Sequence, residues 1–156
     1  MLLTGKYEHT IDAKNRLAIP SDFRDALERA GASRVFYAAP VEGSLALFPE
    51  GVFEKRTEAL DSSPLSPDEV LEYEDLFFSS VYRVEIDGQH RIRIPKEVMD
   101  ELDIGRDVVL LGVRDHIKVK NREAWRAERR EKLARHPGLL MNPRRLLGGP
   151  GEASAN

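Results

Sequence analysis

Near the start of the chain, apolar and polar positions alternate, stop, and alternate again. Tyr7, His9 and Ile11 interleave with Glu8, Thr10 and Asp12, the period of two expected of a strand with one buried face. Asp12-Ala13-Lys14-Asn15-Arg16 interrupts the apolar set before Leu17 and Ile19 resume it, which predicts strand, tight turn, strand. Asp opens turns by bonding the backbone that follows it, and Asn is among the few non-glycine residues that tolerate positive φ. Pro20 ends the second strand and suits the first turn of a helix. That helix has Phe23, Ala26, Leu27 and Ala30 on its apolar side, and Gly31 closes it.

The pattern then recurs. IDAKNRLAIP at 11–20 and IDGQHRIRIP at 86–95 share Ile, Asp, Arg, Ile and Pro at an offset of 75. Tyr82, Val84 and Ile86 alternate as Tyr7, His9 and Ile11 do, and Val98, Met99 and Leu102 repeat the helix, which Gly105 closes. Further on, LALF (45–48) corresponds to IKVK (117–120) and Phe53 to Trp125. A repeat at fixed offset organises a chain before any other feature does. The expected layout is a first module at 5–51, a helical connector at 52–79, a second module at 80–123, and a C-terminal helix and tail at 124–156. In the connector, Val52, Phe53, Arg56 and Leu60 lie at helical spacing. After the break at SSPLSP, Ser66-Pro67-Asp68-Glu69 is a helix start with a capping box. Val70, Tyr73, Leu76 and Phe77 give this second helix its apolar side. The tail from His136 is rich in Pro and Gly, and its end is expected to be disordered.

Composition changes this picture little. The chain has 41% hydrophobic and 33% charged residues, as an ordinary globular protein does. No apolar run approaches the roughly 20 residues that span a bilayer, and MLLTGKYEH does not read as a signal peptide. Absence of cysteine excludes thiol chemistry and fits a reducing, cytoplasmic setting. Charge is more informative. The net value of −3 conceals nine acids against two bases from Glu50 to Asp75, and eleven bases against four acids from Arg114 to Arg145. His9, His90, His116 and His136 show no metal spacing, and there is no nucleophile motif, P-loop or GxGxxG. No catalysis, cofactor, metal or small-molecule substrate is expected.

The chemistry sits in the repeated turn. Asp12 can reach Arg16 across the neck of its turn, and Asp87 can reach Arg91. Each pair could merely staple its turn, yet Arg16 and Ala18 in one copy, and Arg91 and Arg93 in the other, are expected to point outward. Lys14, Gln89 and His90 lie on the turns. A two-stranded ribbon with a basic outer face has the dimensions to enter a DNA major groove, where Arg pairs bidentately with guanine or phosphate. An adjacent Asp would then fix the Arg rotamer. One ribbon makes few contacts, so affinity calls for multiplicity and self-association. The acidic connector and basic C-terminal helix could pair between subunits.

The segments YEHTIDAKNRLAIPSDFRDAL, FFSSVYRVEIDGQHRIRIP and VVLLGVRDHIKV, with REAW after them, resemble the MraZ family of transcriptional regulators as far as about Arg130. The resemblance implies an α+β fold with a mainly β core: two AbrB-like swapped-hairpin modules packed as one double-psi-like barrel with surrounding helices. It also implies a ring-like homo-oligomer in the nucleoid, binding double-stranded DNA at short repeated sites upstream of the division and cell-wall gene cluster. The DNA-binding residues are expected to be Lys14, Asn15, Arg16, Arg91 and Arg93, with Asp12 and Asp87 stabilising the turns. The family usually has Gly where Asn15 and His90 stand. At His90 the second turn is therefore expected to be remodelled, with Gly88 absorbing the strain. The alternative is an interaction scaffold or antitoxin-like partner. AbrB-type antitoxins usually carry one module and a toxin-binding tail, so two modules and a short tail favour the regulator.

Overall fold

The computed structural model describes residues 1–140. The end of the tail, expected to be disordered, lies outside the described residues, as do Arg144 and Arg145. The chain divides into a unit at Met1–Arg122 and a second that begins at Glu123.

The first unit is α+β and chiefly strand. Strands β1 (Lys6–Thr10) and β2 (Arg16–Ala18) precede helix α1 (Ser21–Arg29), then β3 (Val35–Val41) and β4 (Ser44–Pro49). The connector follows as α2 (Glu50–Glu58), a 3-10 turn at Ala59–Ser62, and α3 (Pro67–Phe78). The second copy repeats the order: β5 (Tyr82–Glu85), β6 (Arg91–Arg93), α4 (Lys96–Leu102), β7 (Asp107–Gly112) and β8 (Ile117–Asn121). Pro20 and Pro95 sit one residue earlier than expected, as N-caps with φ of −52° and −57°. There their carbonyls accept the first helical hydrogen bonds.

Strand pairing corrects the simple hairpin. β1 and β2 do not form a ladder with each other; a single backbone bond, from Asp12 N–H to the Arg16 carbonyl at 3.0 Å, closes the neck between them. Instead β1 pairs with β7, β5 with β3, and β2 with β6, so each copy's first two strands are completed by the other copy. The sheet order is β1-β7-β8-β4-β3-β5, all antiparallel, and β2-β6 is a separate ribbon. The swapped arrangement is therefore present. The ladder of the large sheet ends at β1 and β5 without closing on itself. Registers obey a pseudo-two-fold: Leu17 faces its counterpart Ile92, and Ala46 faces its counterpart Lys118, with Leu45 on Val119 and Leu47 on Ile117.

One core fills the space between ribbon and sheet. Leu17 and Ile92 from the ribbon join Leu45, Leu47, Val108, Leu110, Ile117 and Val119 from the sheet and Phe23 and Val98 from the helices. A second cluster, Ala39, Ala46, Phe48 and Phe53 with Phe77 and Phe78, lies where the connector covers the outer face of β3 and β4. That cover explains why β4 is buried at every position while β8 alternates. The capping box on α3 forms as expected: the Ser66 hydroxyl accepts from Glu69 N–H at 3.3 Å, and the Glu69 carboxylate from Ser66 N–H at 2.9 Å. Its apolar side departs from expectation. Phe77 and Phe78 do the packing, whereas Tyr73 and Leu76 are exposed.

The C-terminal helix α5 (Arg122–Arg135), which from Glu123 on belongs to the second unit, carries ion pairs along its own surface, Arg126 with Glu123 and Lys132 with Glu128, both at 2.7 Å.

Leu17 and Ile92 meet at the centre of the ribbon with almost no exposure. Leu17→Ala should destabilise the protein by roughly 2–5 kcal/mol. Leu17→Ala with Ile92→Ala should depart from additivity because the two side chains share one site. Denaturant titration of the three variants measures both, and an additive double variant would refute the shared site.

Candidate nucleic-acid interface

Each turn is organised by its aspartate. Asp12 Oδ1 accepts from the backbone N–H groups of Lys14 and Arg16, both at 2.9 Å, and Oδ2 accepts from Arg16 Nε at 2.8 Å. Asp87 does the same with Gln89 N–H at 2.8 Å, Arg91 N–H at 3.0 Å and Arg91 Nε at 3.4 Å. The Arg16 N–H, foremost among these donors, holds the Asp12 carboxyl below its ordinary value, and the Arg91 N–H does so for Asp87. Both carboxylates are thus committed to the charged form. The side-chain contact runs through Nε, so the guanidinium is oriented while its Nη donors remain for another acceptor.

The two turns have one backbone shape. Asn15 and His90 both take left-handed conformations, φ 61° and 63°, and each donates its N–H to the aspartate carbonyl at 3.0 Å. Gly88 is not among the positive-φ residues, so the expected remodelling of the second turn does not occur. The hydrogen bonds to Asp87 hold His90 in a conformation that His adopts more readily than most residues.

The ribbon brings the predicted residues together differently from two independent hairpins. Its strands come one from each copy, with Arg16 opposite Arg93 and Ala18 opposite Arg91. Leu17 and Ile92 point into the core, which places all three arginines on the other face. Arg93 is exposed, Arg16 and Arg91 are half-buried, and Lys14 and His90 are exposed on the turns. Arg16 and Arg93 are like charges directly across the ladder, an arrangement that costs stability unless an anion lies between or beside them. The Asn15 side chain is part of the first turn's own network, its oxygen accepting from Arg106 Nη2 at 3.3 Å.

Two residues at the turns escaped the sequence reading. Arg106, just before β7, donates from Nη1 to the Asp12 carbonyl at 2.6 Å. Arg34, just before β3, donates from Nη2 to the Asp87 carbonyl at 2.7 Å. They are equivalent positions, but at an offset of 72, because in the second copy the helix is two residues shorter and its link to the next strand one residue shorter. The offset that matches LALF (45–48) to IKVK (117–120) also matches Arg34 to Arg106.

The histidines divide. His9 is half-buried on β1, and burial is the main cause lowering its pKa, as for a core histidine. His116 is buried, bonds Asp115 through Nδ1 at 2.8 Å and stacks on Phe48 with centroids 4.8 Å apart. Arg56 from α2 completes the group by donating to both Asp115 oxygens, at 2.8 and 2.9 Å. This Asp–His pair ties α2 to the β7–β8 turn; no hydroxyl bonds its ring among the described residues. Nor do three His, Asp or Glu side chains there converge to hold a metal.

A family model described as "MraZ protein, putative antitoxin-like" matches residues 2–70 and 77–136 of this chain. A protein of Roseiflexus castenholzii named Transcriptional regulator MraZ is 33% identical over 124 residues, which cover 80% of this chain and 84% of that one. Proteins of the same name from Roseiflexus sp. (strain RS-1) and Clostridium acetobutylicum are 32% and 28% identical, with the same coverage.

Because the folded-state pKa values of Asp12 and Asp87 are lowered, their contribution to stability is full above the ordinary carboxylate value. It is lost as pH falls through the folded value. Asp12→Asn should therefore be less stable than the parent near neutrality, and the gap should close below about pH 4. Denaturant midpoints across that range test this, and a gap constant with pH would refute it.

Proposed function

The chain belongs to the MraZ family, and from that premise we propose that it is a DNA-binding transcriptional regulator. The observation that carries the reading is the face shared by β2 and β6, where Arg16, Arg91 and Arg93 are gathered from two copies onto one ribbon. The names of its relatives point the same way. A two-stranded ribbon fits the major groove, about 12 Å wide. Arg16 and Arg91, their rotamers set by Asp12 and Asp87, would donate their Nη groups to base edges or phosphates. Arg93 and Lys14 would add phosphate contacts that fix register. His90, exposed at the matching turn, lies within the same surface.

The finer parts of the proposal concern assembly and targets. One ribbon spans few base pairs, so the protein acts as a ring-like homo-oligomer on repeated sites, upstream of the division and cell-wall gene cluster, in the nucleoid. The acidic connector and basic α5 of neighbouring subunits are suited to pair across the ring. An antitoxin-like role is the second reading, favoured by the description of the matched family.

Arg16→Ala and Arg91→Ala should each weaken binding to a repeated-site DNA by roughly 10- to 100-fold. Light-scattering mass and thermal midpoint should stay near those of the parent. Gel-shift titration reads the first and scattering with calorimetry the second. Unchanged affinity would sink the DNA reading, while a variant that falls apart would mean the arginines only staple their turns. In a separate measurement, scattering mass should fall as salt rises if connector and α5 pair between subunits; a salt-insensitive mass would exclude that pairing.

A further inference from the structure

We infer that Arg34 and Arg106 are positioning residues that set the DNA-facing turn of the opposite copy, so that each copy's Asp-x-x-x-Arg turn depends on a guanidinium from the other. The inference rests on the DNA-binding reading, but its first readout does not need DNA.

The geometry is doubled at each turn. Arg106 accepts Ile11 N–H on its carbonyl at 2.8 Å while its side chain donates to the Asp12 carbonyl at 2.6 Å. Arg34 accepts Ile86 N–H at 2.8 Å while its side chain donates to the Asp87 carbonyl at 2.7 Å. The carbonyls gripped are those that already accept the N–H of Asn15 and His90 to close each turn. On the far side of the same aspartates, the carboxylates orient Arg16 and Arg91. A continuous path of polar contacts therefore runs from a clamp in one copy to the reading arginine of the other. Two bonds from one planar fork fix an orientation that a single ammonium could not. Each clamp also reaches the preceding isoleucine carbonyl, Arg106 to Ile11 at 3.5 Å and Arg34 to Ile86 at 3.4 Å, and they differ in that Arg106 holds the Asn15 side chain besides.

Both arginines are exposed, so they could instead touch phosphates as plain charges. Arg106→Lys separates the two roles, because it keeps the charge and loses the fork. In the clamp role, amides of Asn15 and Arg16 in free Arg106→Lys protein should exchange with solvent faster, while those of His90 and Arg91 stay as protected as in the parent. Arg34→Lys should show the reverse. Specific DNA affinity should fall about tenfold in each, close to the loss in the matching Arg→Gln variant. The slope of affinity against salt should not change for the Lys variants. Unchanged amide protection would overturn the proposal, and so would a Lys variant that binds DNA like the parent while the Gln variant does not. If Arg16→Ala also leaves DNA binding unchanged, it is the DNA reading that fails, and amide exchange alone then decides the clamp.

Discussion

Everything else in this protein depends on the exchange of strands between its two copies. β1 and β2 find their hydrogen-bonding partners in β7 and β6, and β5 finds its own in β3. A buried backbone N–H or carbonyl left without a partner is costly, so neither copy can satisfy its strands alone. The exchange also places Leu17 against Ile92 and thereby closes the core beneath the ribbon. Three-residue strands such as β2 and β6 would be weak in isolation. They hold here because their central side chains are buried and both ends continue into backbone bonds, Ile19 N–H to the His90 carbonyl at 2.9 Å and Ile94 N–H to the Asn15 carbonyl at 2.8 Å.

Those end bonds also join the two turns. Asn15 and His90, the residues in left-handed conformation, offer their carbonyls to the strand of the other copy. The positive φ is thus tied to the exchange: it aims the carbonyl across the ribbon while the N–H closes the turn. The carboxylates of Asp12 and Asp87 then take up the free N–H groups of the turn and one edge of an arginine. Local turn chemistry and the exposure of basic groups are two consequences of the same few bonds.

Much of this was legible in the sequence, and the part that was not has a clear cause. Alternation of Tyr7, His9 and Ile11 tells which face of a strand is buried, because the period of two is local. It carries no information about which strand lies alongside, and so β1 and β2 read as a hairpin although each pairs elsewhere. The capping box at Ser66 and Glu69 was legible because its partners are three residues apart. The clamps of Arg34 and Arg106 were not, since each acts on a carbonyl more than fifty residues away and sits in a loop with no periodic pattern. Glycine at 88 misled in the second turn: its freedom was unused, and the aspartate's hydrogen bonds forced His90 into the strained position instead. On α3 the helical spacing of Val70, Tyr73, Leu76 and Phe77 was correct as spacing. The face the helix turned inward was decided by the aromatic cluster around Phe53.

The pseudo-two-fold of the ribbon is a symmetry of backbone and core, and it does not extend to charge. Leu17 and Ile92 are equivalent in position and in chemistry, but Arg93 has Ala18 as its counterpart, and Lys14 has Gln89. One end of the ribbon therefore carries Arg16 and Arg93 face to face, with Lys14 on the adjoining turn. The other end carries Arg91 opposite Ala18, with His90 on its turn. Rotation about the dyad leaves the shape nearly unchanged and reverses the order of charge. A polyanion laid along this ribbon meets a stronger end and a weaker one, so the two directions of approach differ in energy although the fold treats them alike. Two copies in one chain permit such a difference, because each can vary its outer face while the buried faces keep them matched.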